Sequence, residues 1–164
     1  MDRWTRQILL RLEADVDEIA LAIANCTAAE VPGFQPIRDD TLIAEIAGLS
    51  RRHLLAFIQA MRKERPTNPE ARLAARDRAA QRAREMVPLS AIIHSYLIAQ
   101  RELCIAIARA AGPDARPRAA ALALTAQTCD IIGILSAITE AYLEARQSDL
   151  ATSRQVDTAC SMPS

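Results

Sequence analysis

The stretch VPLSAIIHSYLIAQREL (87–103) decides the fold, because it has the pattern of a single helix with an apolar face. Pro88 separates it from the helix before it, and AGPD (111–114) closes it. At ~100° per residue its large side chains form one stripe, made of Ile92, Ile93, Tyr96, Leu97, Leu103, Cys104 and Ile107. Gln100 falls near the centre of that stripe and His94 on its flank. A helix with the pattern of a buried element therefore carries polar groups inside it.

Outward from this helix, the same periodicity predicts five helices and no strand. They cover about 2–29, 40–62, 69–86, 89–111 and 116–152, and proline or glycine marks most of the breaks. Alanine supplies 33 of the 164 residues and glycine only 4, which favours helix. We predict an all-α five-helix bundle over residues 1–152, with a long C-terminal helix and a flexible tail over 153–164. The third helix, mostly Ala and Arg, is expected on the surface.

Charge and hydropathy favour a cytoplasmic protein. The formal net charge is zero, so the chain as a whole offers no general surface for nucleic acid or anionic membranes. The longest uncharged run, 86–100, is too short and too polar to span a bilayer. No signal-peptide pattern opens the chain, because charged residues interrupt its start. The four cysteines lie far apart, which argues against a structural zinc site.

A second helix places another polar group on an apolar stripe. His53 falls among Leu42, Ile46, Leu49 and Phe57. An unpaired buried polar group costs about 1–3 kcal/mol, so His53 and Gln100 need partners. One interpretation is that they bond to each other, to a backbone carbonyl or to a trapped water. The other is a small-molecule pocket between the second, fourth and fifth helices, for which the candidate ligand-binding residues are His53, Phe57, Tyr96, Gln100 and Cys104.

Two helices carry apolar rows that could join two copies of the chain. The first helix has a heptad-like row, and the fifth has a long apolar face. The candidate dimer-interface residues are Leu9, Leu12, Val16, Ile19, Ile131, Leu135, Ile138 and Tyr142. Packing within one chain is an equally good explanation of the first-helix row. We expect a homodimer, with the long fifth helix carrying any shift toward an output.

Motifs of catalysis are absent from the sequence. It has no Gly-rich phosphate loop, no nucleophile elbow and no Glu-x-x-His pair. Ser90 and His94 lie one helical turn apart, a spacing that arises by chance in many helices. We therefore predict no catalytic residue, no metal ligand and no cofactor, and a protein that is not an enzyme.

One segment favours a different function. LIAEIAGLSRRHLLAFIQ (42–59) resembles the helix-turn-helix of AraC-type regulators, with Gly48 at the turn and Ser50 as the cap of a recognition helix. A small DNA-binding protein using residues 42–61 is therefore the alternative function. Against it, the apolar stripe keeps one helical register across Gly48, and an interior glycine costs only about 1 kcal/mol.

The order of several short motifs resembles a known family. VPGFQPI (31–37) is followed by HLLAFIQAMRKERP (53–66), NPEA (68–71), EMVPLSAIIHSYLIAQREL (85–103) and SAITEAYLEARQ (136–147). Together they resemble the N-terminal helical domain of PucR/CdaR-type transcriptional regulators, which is similar to the N-terminal domain of RsbRD-type stressosome co-antagonists. The resemblance covers about residues 5–150.

The resemblance implies a non-enzymatic input module that is globin-like in its helical arrangement but holds no haem. It also implies dimerisation and a position upstream of an effector domain. Contact with DNA would then occur only through a separate effector, and the possible ligand is an unidentified small molecule. The chain departs from the PucR-type pattern because it stops soon after the fifth helix, where that family continues into an effector.

Overall fold

The protein is all-α in the computed structural model, which describes residues 1–32, 40–63, 69–128 and 131–160. Only the backbone is described for residues 69–71, 131–132 and 152–160. These parts form helices α1 (Arg3–Ala14), α2 (Val16–Glu30), α3 (Asp40–Arg62), α4 (Pro69–Arg84), α5 (Leu89–Ala111), α6 (Ala115–Thr128) and α7 (Ile131–Cys160), and they contain no strand. The loop motif VPGFQPI lies mostly outside the described residues.

The predicted count of five helices is not confirmed. The first predicted helix is divided at Asp15, whose backbone (φ −96°, ψ 11°) departs from helical geometry. Hydrogen bonds still cross this point, because Asp15 N donates to Arg11 O and Ile19 N donates to Asp15 O. The Asp15 side chain makes no capping hydrogen bond to the start of α2. The fifth predicted helix is described as α6 and α7, with residues 129–130 between them outside the described part. The globin-like arrangement stays a prediction.

The C-terminal helix is long, as predicted, and α7 has 30 residues. Its backbone continues to Cys160, beyond the predicted end at Thr152. Residues 161–164 lie outside the described part of the chain. The division into a domain over 1–152 and a flexible tail over 153–164 stays a prediction.

The described residues form three apolar cores, of which the two largest (the larger and the smaller core) lie toward opposite ends of α5 and the third, made of Val31, Ala91 and Ile98, is small. The larger core joins α1, α2, α3, α6 and the C-terminal half of α5, where Leu9, Ile58, Ile107 and Leu124 are almost fully buried. The smaller core joins α4, α7 and the N-terminal half of α5, and it is centred on Ile138. Because α5 contributes to both cores, it connects the α4–α7 pair to the rest of the bundle.

Helix α4 is more buried than the sequence predicted. Its alanines Ala75, Ala79 and Ala83 are spaced one turn apart and are at most 3% exposed. They allow α4 to lie close against α7, which presents the small residues Ala141 and Ala145. Arg76 adds exposed ion pairs to Glu140 and Glu144 of α7. Outside this alanine face α4 is largely open to solvent, and Leu73 is 60% exposed, so the helix lies at the surface with one face covered. Alanine has too little apolar area to mark that face in a hydropathy pattern.

Helix α3 is continuous through Gly48, so the helix-turn-helix interpretation of residues 42–61 is wrong. Its most buried residues are Ser50, Leu54, Ile58 and Met61. This face is rotated from the predicted stripe of Leu42, Ile46, Leu49 and Phe57, whose members are only partly buried. The rotation places His53 and Phe57 at the edge of the larger core.

Two stretches are long and apolar enough to cross a membrane by length and composition, namely α5 and Ala115–Ala151. The core helices of soluble proteins pass the same test. Helix α5 also carries Arg101 and Glu102, and Arg101 pairs with Glu30 of α2. The cytoplasmic location stays a prediction.

Replacing Gly48 with alanine should stabilise the protein by about 0.5–1 kcal/mol, because Gly48 is inside a helix. A Cβ at this position would meet only Arg52 Nη1, at 3.9 Å. Urea unfolding at equilibrium measures the change. The matched control is Gly112→Ala, which should destabilise by about 1–2 kcal/mol because Gly112 ends α5 with φ +72°. A loss of stability in Gly48→Ala would contradict a continuous α3.

Met86 should be replaceable by glycine with a gain of about 0.5–1 kcal/mol. It has φ +62°, in the left-handed region, and its side chain is 65% exposed. Met86 N donates to Ala83 O and Val87 N donates to Arg82 O, which is the Schellman pattern that favours glycine. Thermal unfolding of Met86→Gly beside Met86→Ala tests this. An equal gain in the alanine variant would show that the backbone conformation is not the cause.

Candidate functional site

A cavity of about 210 Å³ lies between the two cores. Helices α2 to α7 all contribute to its wall, which is mostly apolar. The lining residues are Ile23, Ser50, His53, Leu54, Ala56, Phe57, Ala60, Met61, Arg72, Ala75, Tyr96, Ala99, Gln100, Leu103, Gln127, Thr128 and Ile134. Apolar walls with a few polar groups are typical of small-molecule sites.

Four of the five predicted ligand-binding residues meet at this cavity: His53, Phe57, Tyr96 and Gln100. Cys104 is not part of the lining. Its sulfur lies 3.7 Å from Gln100 Nε2 and accepts a hydrogen bond from it. Binding of a ligand by these residues stays a prediction, and their convergence on one cavity is a feature of the structure.

Gln100 already has partners within the protein. Its Nε2 donates to Thr128 Oγ1 at the end of α6, and the Thr128 hydroxyl donates to Thr125 O at 2.7 Å. This chain of hydrogen bonds ties α5 to α6 beside the cavity. The amide donor of Gln100 is therefore paired with Thr128 and not with His53.

The Tyr96 hydroxyl is a polar group of the lining that lacks a hydrogen-bond partner within the described ranges. Its oxygen is buried and has no hydrogen-bond partner in the described part of the protein. Burial raises the pKa of Tyr96, an effect that the nearby Arg78 guanidinium partly offsets. The side chain is thus a neutral donor held inside the molecule without an acceptor. Such a group is costly unless a water or a ligand completes it.

His53 lies next to Tyr96, with 6.4 Å between the ring centroids. Burial, together with the positive charges of Arg78 and Arg52, lowers the pKa of His53 to about 4. The imidazole is therefore neutral at pH 7 and offers one N–H donor and one acceptor nitrogen. His53 and Tyr96 together give the cavity a polar corner.

The polar groups of the opening stretch that do not reach the cavity lie at the surface. His94 is exposed, as its place on the flank of the α5 stripe predicted. Leu97, which the stripe placed inside, is 46% exposed. Arg101 donates to both carboxylate oxygens of Glu30 and thereby fixes the end of α2 against α5.

The predicted dimer-interface residues are used within one chain. Leu9, Leu12, Val16 and Ile19 are at most 9% exposed and belong to the larger core. Leu135, Ile138 and Tyr142 pack in the smaller core, and the Tyr142 hydroxyl donates to Val87 O at 2.9 Å. The side chain of Ile131 lies outside the described residues. The first-helix row therefore follows the intramolecular alternative, and a dimer stays a prediction for other surfaces.

Several lining residues gave no signal in the sequence. Arg72 and Ala75 belong to α4, whose alanine-rich pattern indicated a surface helix. Thr128 is not one of the residues in the apolar stripes from which the pocket was predicted. Within the ranges that the structure describes, no group of three or more His, Cys, Asp or Glu could hold a metal ion.

Comparison with protein families decides the family. Residues 17–156 match the model of the RsbT co-antagonist protein rsbRD N-terminal domain. The chain belongs to this family. No curated protein and no solved structure matches it. Membership of the RsbRD N-terminal family makes the chain a regulatory signalling domain, whereas the PucR/CdaR part of the resemblance stays a prediction.

Lowering the pH from 7 to 5 should cost the fold about 2 kcal/mol through His53 alone. Folding lowers the pKa of His53 from 6.5 to about 4, so the unfolded chain takes up the proton first. This contribution is complete above about pH 6.5 and is lost as the pH falls toward 4. Urea unfolding at both pH values should show a loss in the wild type that is smaller in His53→Gln by that amount.

The exposed His94 supplies the control for this measurement. His94→Gln changes the other of the two histidines, at an exposed position on α5, and its losses are compared with those of His53→Gln. Equal losses in the wild type and His53→Gln would show that the His53 ring is not held neutral by its surroundings.

Proposed function

We propose that this RsbRD-type domain is the signal-input and dimerisation domain of a bacterial transcriptional regulator, and that it senses a small molecule in the central cavity. The observation that carries the proposal is the cavity between the two cores, with an unpartnered Tyr96 hydroxyl in its wall. The domain acts by binding and not by catalysis. It is cytoplasmic, and it reaches DNA only through a separate effector.

The position of the cavity suggests how a bound molecule acts. Met61 and Leu103 belong to the larger core, and Tyr96 and Ile134 to the smaller one. A molecule in the cavity contacts both cores at once, so it favours one arrangement of the α4–α7 pair against the rest of the bundle. Its effect is limited to its difference in affinity between two arrangements. Helix α7 is the element that carries the shift outward.

The surface of α7 supports a role in dimerisation. Leu143 and Leu150 are seven residues apart and are 49% and 56% exposed. This spacing puts them on one side of the helix, where two copies of α7 can pack as in a coiled coil. The side of α7 that faces α4 is already covered. A dimer formed through the exposed side would leave both cores intact.

Native mass spectrometry of the protein purified from cells tests the proposal. We expect a dimer with a reproducible extra mass. Ala99→Leu, which adds volume inside the cavity, should lose most of that mass and keep the dimer. The matched control is Ala108→Leu, an exposed position on the same helix, which should keep both.

Each part of the proposal fails on a different result. A dimer without extra mass would contradict ligand sensing and leave dimerisation in place. A monomer with the extra mass would contradict dimerisation alone. Extra mass that persists in Ala99→Leu would show that the molecule binds outside the cavity.

A further inference from the structure

The polar groups of the cavity differ in whether they are already used. Gln100 Nε2 donates to Thr128 Oγ1 and to Cys104 Sγ, so its amide donor is already used. The Tyr96 hydroxyl has no partner among the described residues, and the His53 ring lies beside it. The Tyr96–His53 corner therefore offers a ligand a hydroxyl that the protein itself does not pair.

The charges around this corner are positive. Arg72 of α4 is part of the lining. Arg78 follows Ala75 by about one turn on the same helix and is partly buried. No described carboxylate pairs with Arg78, and its charge acts on both Tyr96 and His53. A partly buried cation without a counter-charge attracts an anion.

The remaining wall is apolar and limits the size of the occupant. Phe57, Met61 and Leu103 offer large apolar surfaces, and alanines fill much of the rest. The volume of about 210 Å³ is below the range of about 300–1,000 Å³ that drug-sized ligands occupy. A nucleotide or another large polar molecule would leave its polar groups unpaired against this wall. A compact molecule with one charged end fits both features.

We propose that the central cavity selects a small carboxylate with an apolar body, whose head group accepts a hydrogen bond from Tyr96 and is balanced by the Arg78 guanidinium of α4. The neutral His53 donates from the neighbouring side, and the apolar body packs against Phe57, Met61 and Leu103. This assignment rests on the proposed function, because it names the chemical class of the molecule that the cavity senses.

The test compares an acid with its neutral analogue on the whole chain. Isothermal titration calorimetry is run with 3-phenylpropanoate and with 3-phenylpropan-1-ol, which share the apolar body and differ in charge. The protein is first freed of any co-purified molecule by unfolding and refolding. We expect the acid to bind at least about tenfold more tightly than the alcohol, because hydrogen bonds to a charged group are the stronger ones.

Two variants test whether Tyr96 and Arg78 cause the preference for the acid over the alcohol. Tyr96→Phe removes only the hydroxyl, and Arg78→Gln removes only a charge that has no described partner. Each should weaken binding of the acid about tenfold and leave binding of the alcohol unchanged. Arg109→Gln, at an exposed position on α5, is the matched control and should change neither. Circular dichroism confirms that each variant is folded.

The outcomes separate this inference from the proposed function. Equal or tighter binding of the alcohol overturns the selection of an anion and leaves a ligand-sensing cavity in place. Acid binding that is unchanged in Tyr96→Phe and Arg78→Gln overturns the assigned site. If neither compound binds, the inference is overturned. The proposed function then stands only if native mass spectrometry finds another molecule that Ala99→Leu displaces.

Discussion

The packing of two cores against the single helix α5 is the constraint on which the rest of the structure depends. Ile107 and Leu103 of the C-terminal half of α5 pack in the larger core, and Ile92 of its N-terminal half packs in the smaller one. Side chains pack closely within each core. The apolar surfaces of the two cores do not have to be complementary in shape where they meet. The cavity lies at that junction, so it follows from the architecture and needs no separate element to form it.

The polar corner of the cavity lowers the stability of the protein, and the packing of the helices gives no reason for it. Protein interiors pair their buried polar groups, and a hydroxyl left without a partner lowers stability by about 1–3 kcal/mol. The Tyr96 hydroxyl is such a group, and it lies beside a neutral His53 and a guanidinium that has no carboxylate partner among the described residues. Departures from good core chemistry tend to occur at functional sites. In this regulatory signalling domain of the RsbRD N-terminal family, the small molecule that we propose for the cavity would offset this cost.

The stripes on α3 and α5 allowed much of the site to be predicted, because helical periodicity alone places side chains at known angles around an axis. His53, Phe57, Tyr96 and Gln100 were placed toward one pocket in this way, and all four line it. Periodicity gives angles only to within a fraction of a turn. The buried face of α3 was therefore misplaced, and Leu97 was placed inside although it is exposed.

The sequence by itself determined that the chain is helical, where α5 begins and ends, and which polar residues share a face with its apolar ones. These features depend on backbone preferences and on neighbours a few residues away. Only the tertiary structure decided that the first-helix row packs within the chain and that α4 packs on its neighbours through Ala75 and Ala79. It also decided that Thr128 accepts a hydrogen bond from Gln100. Each depends on a contact between residues far apart in the chain. The side chains of alanine and threonine have too little apolar area for a hydropathy pattern to predict such contacts.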